Sequence, residues 1–386
     1  MRRSDPLSIV QSLMLAFADR TGLSAPDKPP RRYLWTDAFA VCNFLELYRR
    51  TEEDRFRKLA LDLILQVHET LGRHRPDDTR RGWISGLDEA QGRAHPTAGG
   101  LRIGKNLPEK RLEDPDDDRL EWDRDGQYFH YLTKWMHALH RTGCVTGDSK
   151  FNRFARELAR TAHARFTDAP MSGGPPRMYW KMSIDLTRPL VVSMGHHDPL
   201  DGLITYYELC SGPRGAESGP DLGAEINEMS ILCRGRDWTT DDPLGLGGLL
   251  DAAFRVGQMK IKGVTFMPDF LENILSSALK GMTAFFQGNT LAVSARYRLP
   301  FREFGLSIGL QAAAGLQRRM ADFPALFGGA AGGLIEKILH YGPAVQAIEK
   351  FWLSPSHQSA GTWTDHCDIN DVMLAASLAP EEFLKV

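Results

Sequence analysis

The chain has 386 residues, 42% of them hydrophobic and 25% charged, and a formal net charge of −2. This is ordinary globular composition with enough apolar residues for a large core, and the near-neutral charge gives no electrostatic case for nucleic acid or an anionic membrane as partner. The five cysteines (Cys42, Cys144, Cys210, Cys233, Cys367) are dispersed, odd in number and free of any CxxC spacing, which indicates neither a disulfide framework nor a zinc knuckle and makes a reducing cytoplasm the simplest compartment.

In chain order, Met1-Arg2-Arg3-Ser4-Asp5-Pro6 precedes a short apolar run at Leu7–Ala18. The early Asp-Pro, with no small-residue cleavage pattern after it, reads as a capped helix rather than a signal peptide. Period-3.6 patterning predicts about twelve helices, at 5–20, 36–50, 53–72, 127–142, 150–167, 199–211, 222–233, 244–258, 268–287, 301–320, 334–353 and 368–379. Pro189–Met194 reads as at most one short strand, and no apolar run is long enough to span a bilayer. The segment at 36–50 is apolar almost all round, and those at 244–258 and 301–320 carry Gly and Ala between apolar residues, as buried, closely packed helices do. The segments at 53–72 and 150–167 instead carry one charged face.

The connections alternate as well. Links into the even-numbered helices are mostly long and decorated (21–35, 73–126, 168–198, 234–243, 288–300, 354–367), whereas links into the odd-numbered ones are mostly shorter or plainer. In an up-down array, alternate connections lie on opposite ends. With these features the chain resembles the six-hairpin glycosidase superfamily, including its epimerase and unsaturated-glucuronidase-like branches. The resemblance is architectural and covers the whole chain. It implies an all-α, single-domain (α/α)6 toroid over residues 1–386, with six inner and six outer helices and a lid-like loop at 73–126. No family catalytic motif accompanies it, and fold alone does not establish function.

The stretch at 73–126 is too long for a plain connection, and its tryptophans argue against disorder. Trp35, Trp83, Trp122, Trp180, Trp238 and Trp363 all fall in or beside the decorated links. Flat aromatic faces suit sugar rings in concave sites, but such residues also plug loops onto a helical end. Asp37, Asp125, Asp198, Asp242 and Asp368 each start a predicted inner helix, where capping and catalysis are both open. The run Pro108–Asp125 reads as a solvated charged lid, with a calcium site at Asp116-Asp117-Asp118 as an alternative that lacks the EF-hand pattern. Gly195-His196-His197-Asp198 brings two imidazoles to the entrance of an inner helix, and His130, His137 and His140 share another. Thr364-Asp365-His366-Cys367 is similar to the metal-binding Cys-His of lanthionine cyclases in reversed order, without the supporting cysteine motif. No GxGxxG after a strand, P-loop or Gly-x-Ser-x-Gly occurs, and Gly328–Gly333 reads as a flexible turn.

The expected function is a carbohydrate-active enzyme, first of all a glycoside hydrolase. It would use Asp125 as acid, Asp198 as ionised nucleophile or base, and His197 in proton transfer. Trp35, Trp83, Trp180 and Trp363 would be platforms, Arg93 and Lys181 would hold an anionic group, and Asp37, Asp88, His95, Tyr128, His130, His196 and His366 would line the site. The alternatives are a cofactor-independent epimerase or isomerase shuttling protons through His130, His197 and His366, and a non-catalytic sugar binder. The partner is a small-molecule or oligosaccharide substrate, with no cofactor and no metal expected and no oligomeric state legible.

Overall fold

The structure is a computed structural model that describes residues 5–25, 27–111, 113–115, 117–168, 176–211 and 219–386. It divides into two compact units, one made of residues 1–17, 49–52 and 235–386, the other of residues 18–48 and 53–234. Among the described residues the longer helices are α1 Pro6–Arg20, α2 Leu34–Thr51, α3 Asp54–Leu71, α4 Phe129–Thr146, α5 Lys150–Phe166, α6 Asp198–Ser211, α7 Gly223–Cys233, α8 Pro243–Ile261, α9 Phe270–Gln287, α10 Pro300–Asp322, α11 Gly329–Leu339, α12 Ala344–Trp352 and α13 Cys367–Leu378. The helix expected at 334–353 is two helices. Gly342 and Pro343 separate them, and a proline inside a helix removes a hydrogen bond and clashes with the preceding turn. The Gly328–Gly333 run is not a turn, because α11 already begins at Gly329.

Burial follows the alternation of the sequence. Helix α2 is buried continuously from Leu34 to Leu47. Helices α4, α6, α8, α10 and α13 bury polar residues along with apolar ones, among them His137, Glu208, Asp251, Glu303 and Asn370. Helices α3 and α5 bury a single stripe, such as Phe151, Phe154, Leu158 and Phe166 on α5. In the 235–386 unit, small residues let α8 and α10 touch: a Cβ on Gly247 would stand 2.0 Å from the Gly305 carbonyl oxygen.

The sheets are small. β1 Gln127–Tyr128, β4 Lys181–Met182 and β5 Pro189–Val191 form one antiparallel sheet in the order β1-β4-β5, and β2 Thr167–Asp168 pairs with β3 Arg177–Met178. Strands of two or three residues are too short to show a period of two, so only β5 was legible in the sequence.

The 73–126 stretch is fastened rather than loose. Leu101 and Ile103 are fully buried, and short helices form at Glu89–Ala94 and Asp118–Asp123. Asp116 of the calcium alternative lies outside the described residues.

Candidate active site

Helices α4 and α6 pack together in the 18–234 unit. His130 and Lys134 stand one turn apart on α4, and Asp198 and Asp201 one turn apart on α6, so each pair shares a helix face. The two faces meet as polar rungs. His130 Nδ1 lies 3.6 Å from Asp198 Oδ1, Lys134 Nζ 3.6 Å from Asp201 Oδ1, and deeper in, His137 Nδ1 lies 2.7 Å from Glu208 Oε1.

The outermost rung is chemically incomplete. The Asp198 carboxyl is buried, and neither its Oδ2 nor His130 Nδ1 has a hydrogen-bond partner. Gly195 makes room for it, since a Cβ there would meet the Asp198 carboxyl at 2.4 Å. Burial raises the Asp198 carboxyl well above the usual carboxylate range and Asp201 adds to the rise, against the Gly195 backbone amide and Lys134. Burial pushes the His130 imidazole down to about 4, Asp201 opposing and Lys134 assisting. Burial thus favours the uncharged form of both groups, with the Lys134–Asp201 contact one turn away.

Aromatic rings flank this rung. The Tyr128 ring stacks on His130 at 5.4 Å and lies 5.2 Å from the half-buried Trp180, which also stacks on His130 at 6.5 Å and meets the 55% exposed Trp122 at 5.0 Å. Tyr131 packs edge-on to His130 at 4.8 Å, and its hydroxyl is 2.6 Å from that of Tyr33. Beneath them, the buried Lys181 Nζ donates to Glu121 Oε1, the Glu121 carbonyl and the Arg124 carbonyl at 2.7, 2.7 and 2.8 Å.

Several sequence expectations change. Asp125 is fully buried, and its carboxylate accepts from Arg102 Nη1 at 2.5 Å, Arg75 Nη1 at 3.2 Å and the backbone amides of Gly104 and Gly126. With donors on both oxygens it anchors the long loop. For Asp198, the helix-end field argued for the ionised form; desolvation outweighs it. Lys181 is consumed by its three acceptors and holds no outside anion. Trp83 is a plug, clamped between Arg73, 4.1 Å above the ring, and Gly92, where a Cβ would stand 2.2 Å from the indole. Trp35 is buried against Phe39, and Trp363, in the other unit, against Phe304 and Trp352. Of the four expected platforms, only Trp180 belongs to the cluster around His130.

The remaining candidates have local partners. Asp37 accepts from the Tyr33 amide and pairs with Arg32. Asp88 caps the helix at Glu89–Ala94. Arg93 pairs with Glu69 and Glu89 on the surface, and His95 with Glu157 on α5. The His196 and His197 rings pack on each other at 4.7 Å. His366 is exposed in the other unit, near Phe301. Asp201 was noted in the sequence beside Asp198 but given no role, and Lys134, Tyr33 and Tyr131 were missing; for Lys134 the signal was its one-turn spacing from His130, whereas Tyr33 had none. Among the described residues no group of three or more His, Cys, Asp or Glu side chains could hold a metal ion, and no helix is long and apolar enough to cross a membrane.

No protein-family model matches the sequence, and no curated protein matches it. Solved structures do match in fold. A family GH76 α-1,6-mannanase from a Salegentibacter species has 11% identity over 97% of this chain and 99% of its own, with a TM-score of 0.55. A GH76 α-mannanase from Bacteroides thetaiotaomicron has 9% identity over 99% of this chain and 98% of its own, also at 0.55. A cellobiose 2-epimerase from Spirochaeta thermophila has 11% identity over 97% of each chain, at 0.51. At such identities the likeness concerns architecture alone, and the chain has the all-α (α/α)6 fold of these structures.

Proposed function

We propose that this protein is a carbohydrate-active enzyme, and specifically a glycoside hydrolase in which Asp198 is the proton donor. The observation that carries this reading is the buried Asp198 carboxyl, raised in pKa and left with one unpartnered oxygen beside His130. A glycosidase needs one carboxyl kept protonated and a second kept ionised. Asp201, one turn along and beside Lys134, fits the ionised role. The half-buried Trp180 and exposed Trp122 rings supply faces on which a sugar can lie, with the buried Tyr128 behind Trp180. The similar folds include hydrolases of α-mannosides, one of them solved as an inactive variant with α-1,6-mannotriose, and sugar epimerases. Hydrolysis would begin with proton transfer from Asp198 to the glycosidic oxygen, while Asp201 either attacks the anomeric carbon or activates water.

A second reading, epimerisation, is favoured by His130. An imidazole held neutral at physiological pH can take a proton from a carbon next to a carbonyl. The two readings separate in one assay. The protein is incubated in deuterated water with α-1,6-linked mannose oligosaccharides and with reducing disaccharides. New reducing ends without carbon-bound deuterium mean hydrolysis. Deuterium at carbon 2 without cleavage means epimerisation. Asp198→Asn should abolish the first activity, whereas cleavage that survives this substitution at its original rate removes Asp198 as the acid.

A further inference from the structure

Helix α4 carries a second chemical constellation at its other end. Cys144 stands fourteen residues beyond His130, about 21 Å along the axis at 1.5 Å per residue. Of the five free cysteines, Cys42 and Cys233 are buried, Cys210 and Cys367 half-buried, and Cys144 exposed. Its Sγ lies 3.6 Å from His140 Nε2. His140 is 1% exposed, and its Nδ1 lies 3.2 Å from Asn152 Oδ1 on α5. An amide oxygen only accepts, so Nδ1 carries the imidazole proton and Nε2 presents its lone pair to the thiol. The base is thus oriented by a buried side chain of a different helix, which a thiol merely lying on the surface does not require.

We propose that Cys144, with His140 as its base and Asn152 as the group that orients that base, is a thiol–disulfide exchange site for small disulfides of the glutathione class. The thiol proton passes to His140 Nε2 and Sγ attacks one sulfur of the disulfide. A new S–S bond forms as the old one breaks, and the departing thiolate takes up the proton held on Nε2. Nothing is oxidised beyond what the incoming disulfide supplies. With no disulfide in the chain and no cysteine recorded beside Cys144, the reaction stops at the mixed disulfide. The electrostatics agree. Burial raises the Cys144 thiol and Glu208 adds to it, but the hydrogen bond and charge of His140, helped by Arg141, bring it below the ordinary thiol value.

The full-length protein is incubated with oxidised glutathione at pH 7, free thiols are then alkylated, and each cysteine is read by peptide mass mapping. Cys144 should acquire glutathione at least about tenfold faster than Cys367, since only the thiolate attacks. The midpoint of its alkylation rate against pH should lie below about 8.5, the value for a free thiol. His140→Gln and Asn152→Ala should both raise that midpoint and slow exchange at pH 7 by about threefold or more. The wild-type mapping stands whether or not His140→Gln folds. Cys144 reacting no faster than Cys367, or a midpoint that neither substitution moves, would overturn the proposal.

Discussion

Lys181→Met probes the joint between the acidic 107–124 segment and the aromatic surface. The Lys181 side chain is fully buried, and its ammonium satisfies one carboxylate oxygen and two carbonyls, all from Glu121 and Arg124. Methionine keeps the apolar stem but leaves three acceptors without a donor. Removing one partner of a buried ion pair costs about 3–5 kcal/mol. The Glu121 side chain is 14% exposed, which places this case near about 3 kcal/mol. The chain has a cheaper response, because the short helix at Asp118–Asp123 can lift away and rehydrate its acceptors, taking Trp122 off Trp180. Expected results are faster proteolysis within 107–124, loss of the near-ultraviolet dichroism of the Trp122–Trp180 pair, and a urea midpoint lowered by less than the full cost. The double change Lys181→Met with Glu121→Leu should be milder than Lys181→Met alone, because the orphaned charge is gone. Unchanged proteolysis with under about 1 kcal/mol of lost stability, or strict additivity of the two changes, would refute the reasoning.

Three further expectations follow from other contacts. The Asp198 carboxyl is raised on folding, so its contribution to stability is complete below the unfolded value of about 3.9 and is lost as pH rises through the folded value. The melting temperature of wild type minus that of Asp198→Asn should therefore fall between acid and neutral pH, and a difference that grows with pH contradicts the assignment. Gly247→Ala drives a methyl into the Gly305 carbonyl and should cost at least about 1–3 kcal/mol by overpacking, read from urea melts; a neutral result would mean that α8 and α10 can separate freely. Trp180→Ala should weaken sugar binding about three- to tenfold with little loss of stability, while Trp83→Ala should cost about 3–5 kcal/mol and leave the affinity per folded molecule intact; calorimetric titration beside thermal melts tells the two apart.

The fold was legible because its signals are long. A helix such as α2, apolar almost all round from Ala38 to Leu45, or α5, with a charged face opposite its buried stripe, shows its burial directly in its period. The Gly-rich α8 and α10 declared their close approach, since nothing but a neighbouring backbone needs so many missing side chains on one helix. What failed was short. The two-residue strands at Gln127–Tyr128 and Lys181–Met182 form only because the chain brings them together, and neither has a pattern of its own. The break between α11 and α12 was written in Gly342-Pro343, and a strict reading of that proline would have found it.

The site was half legible for a different reason. Sequence spacing put Asp198 and His130 at the entrances of inner helices, and they do face each other there. It could not rank charge states, because those depend on what surrounds a carboxyl after folding. Asp125 and Asp198 start from the same residue type and similar positions. Two arginines and three backbone amides close around Asp125, while Asp198 keeps one oxygen unpartnered beside a neutral imidazole. The arginines that decide this come from positions 75 and 102, far from Asp125 in sequence, and no local rule connects them to it. The helix-end rule was sound for a partly solvated carboxylate, where the dipole is worth about 0.3–1 kcal/mol. Burial of an ionised carboxylate costs several kcal/mol, so once Asp198 is enclosed the smaller effect loses. The roles proposed for the two aspartates therefore differ from those first expected: Asp125 anchors the loop, and Asp198 is the proton donor in the hydrolysis we propose.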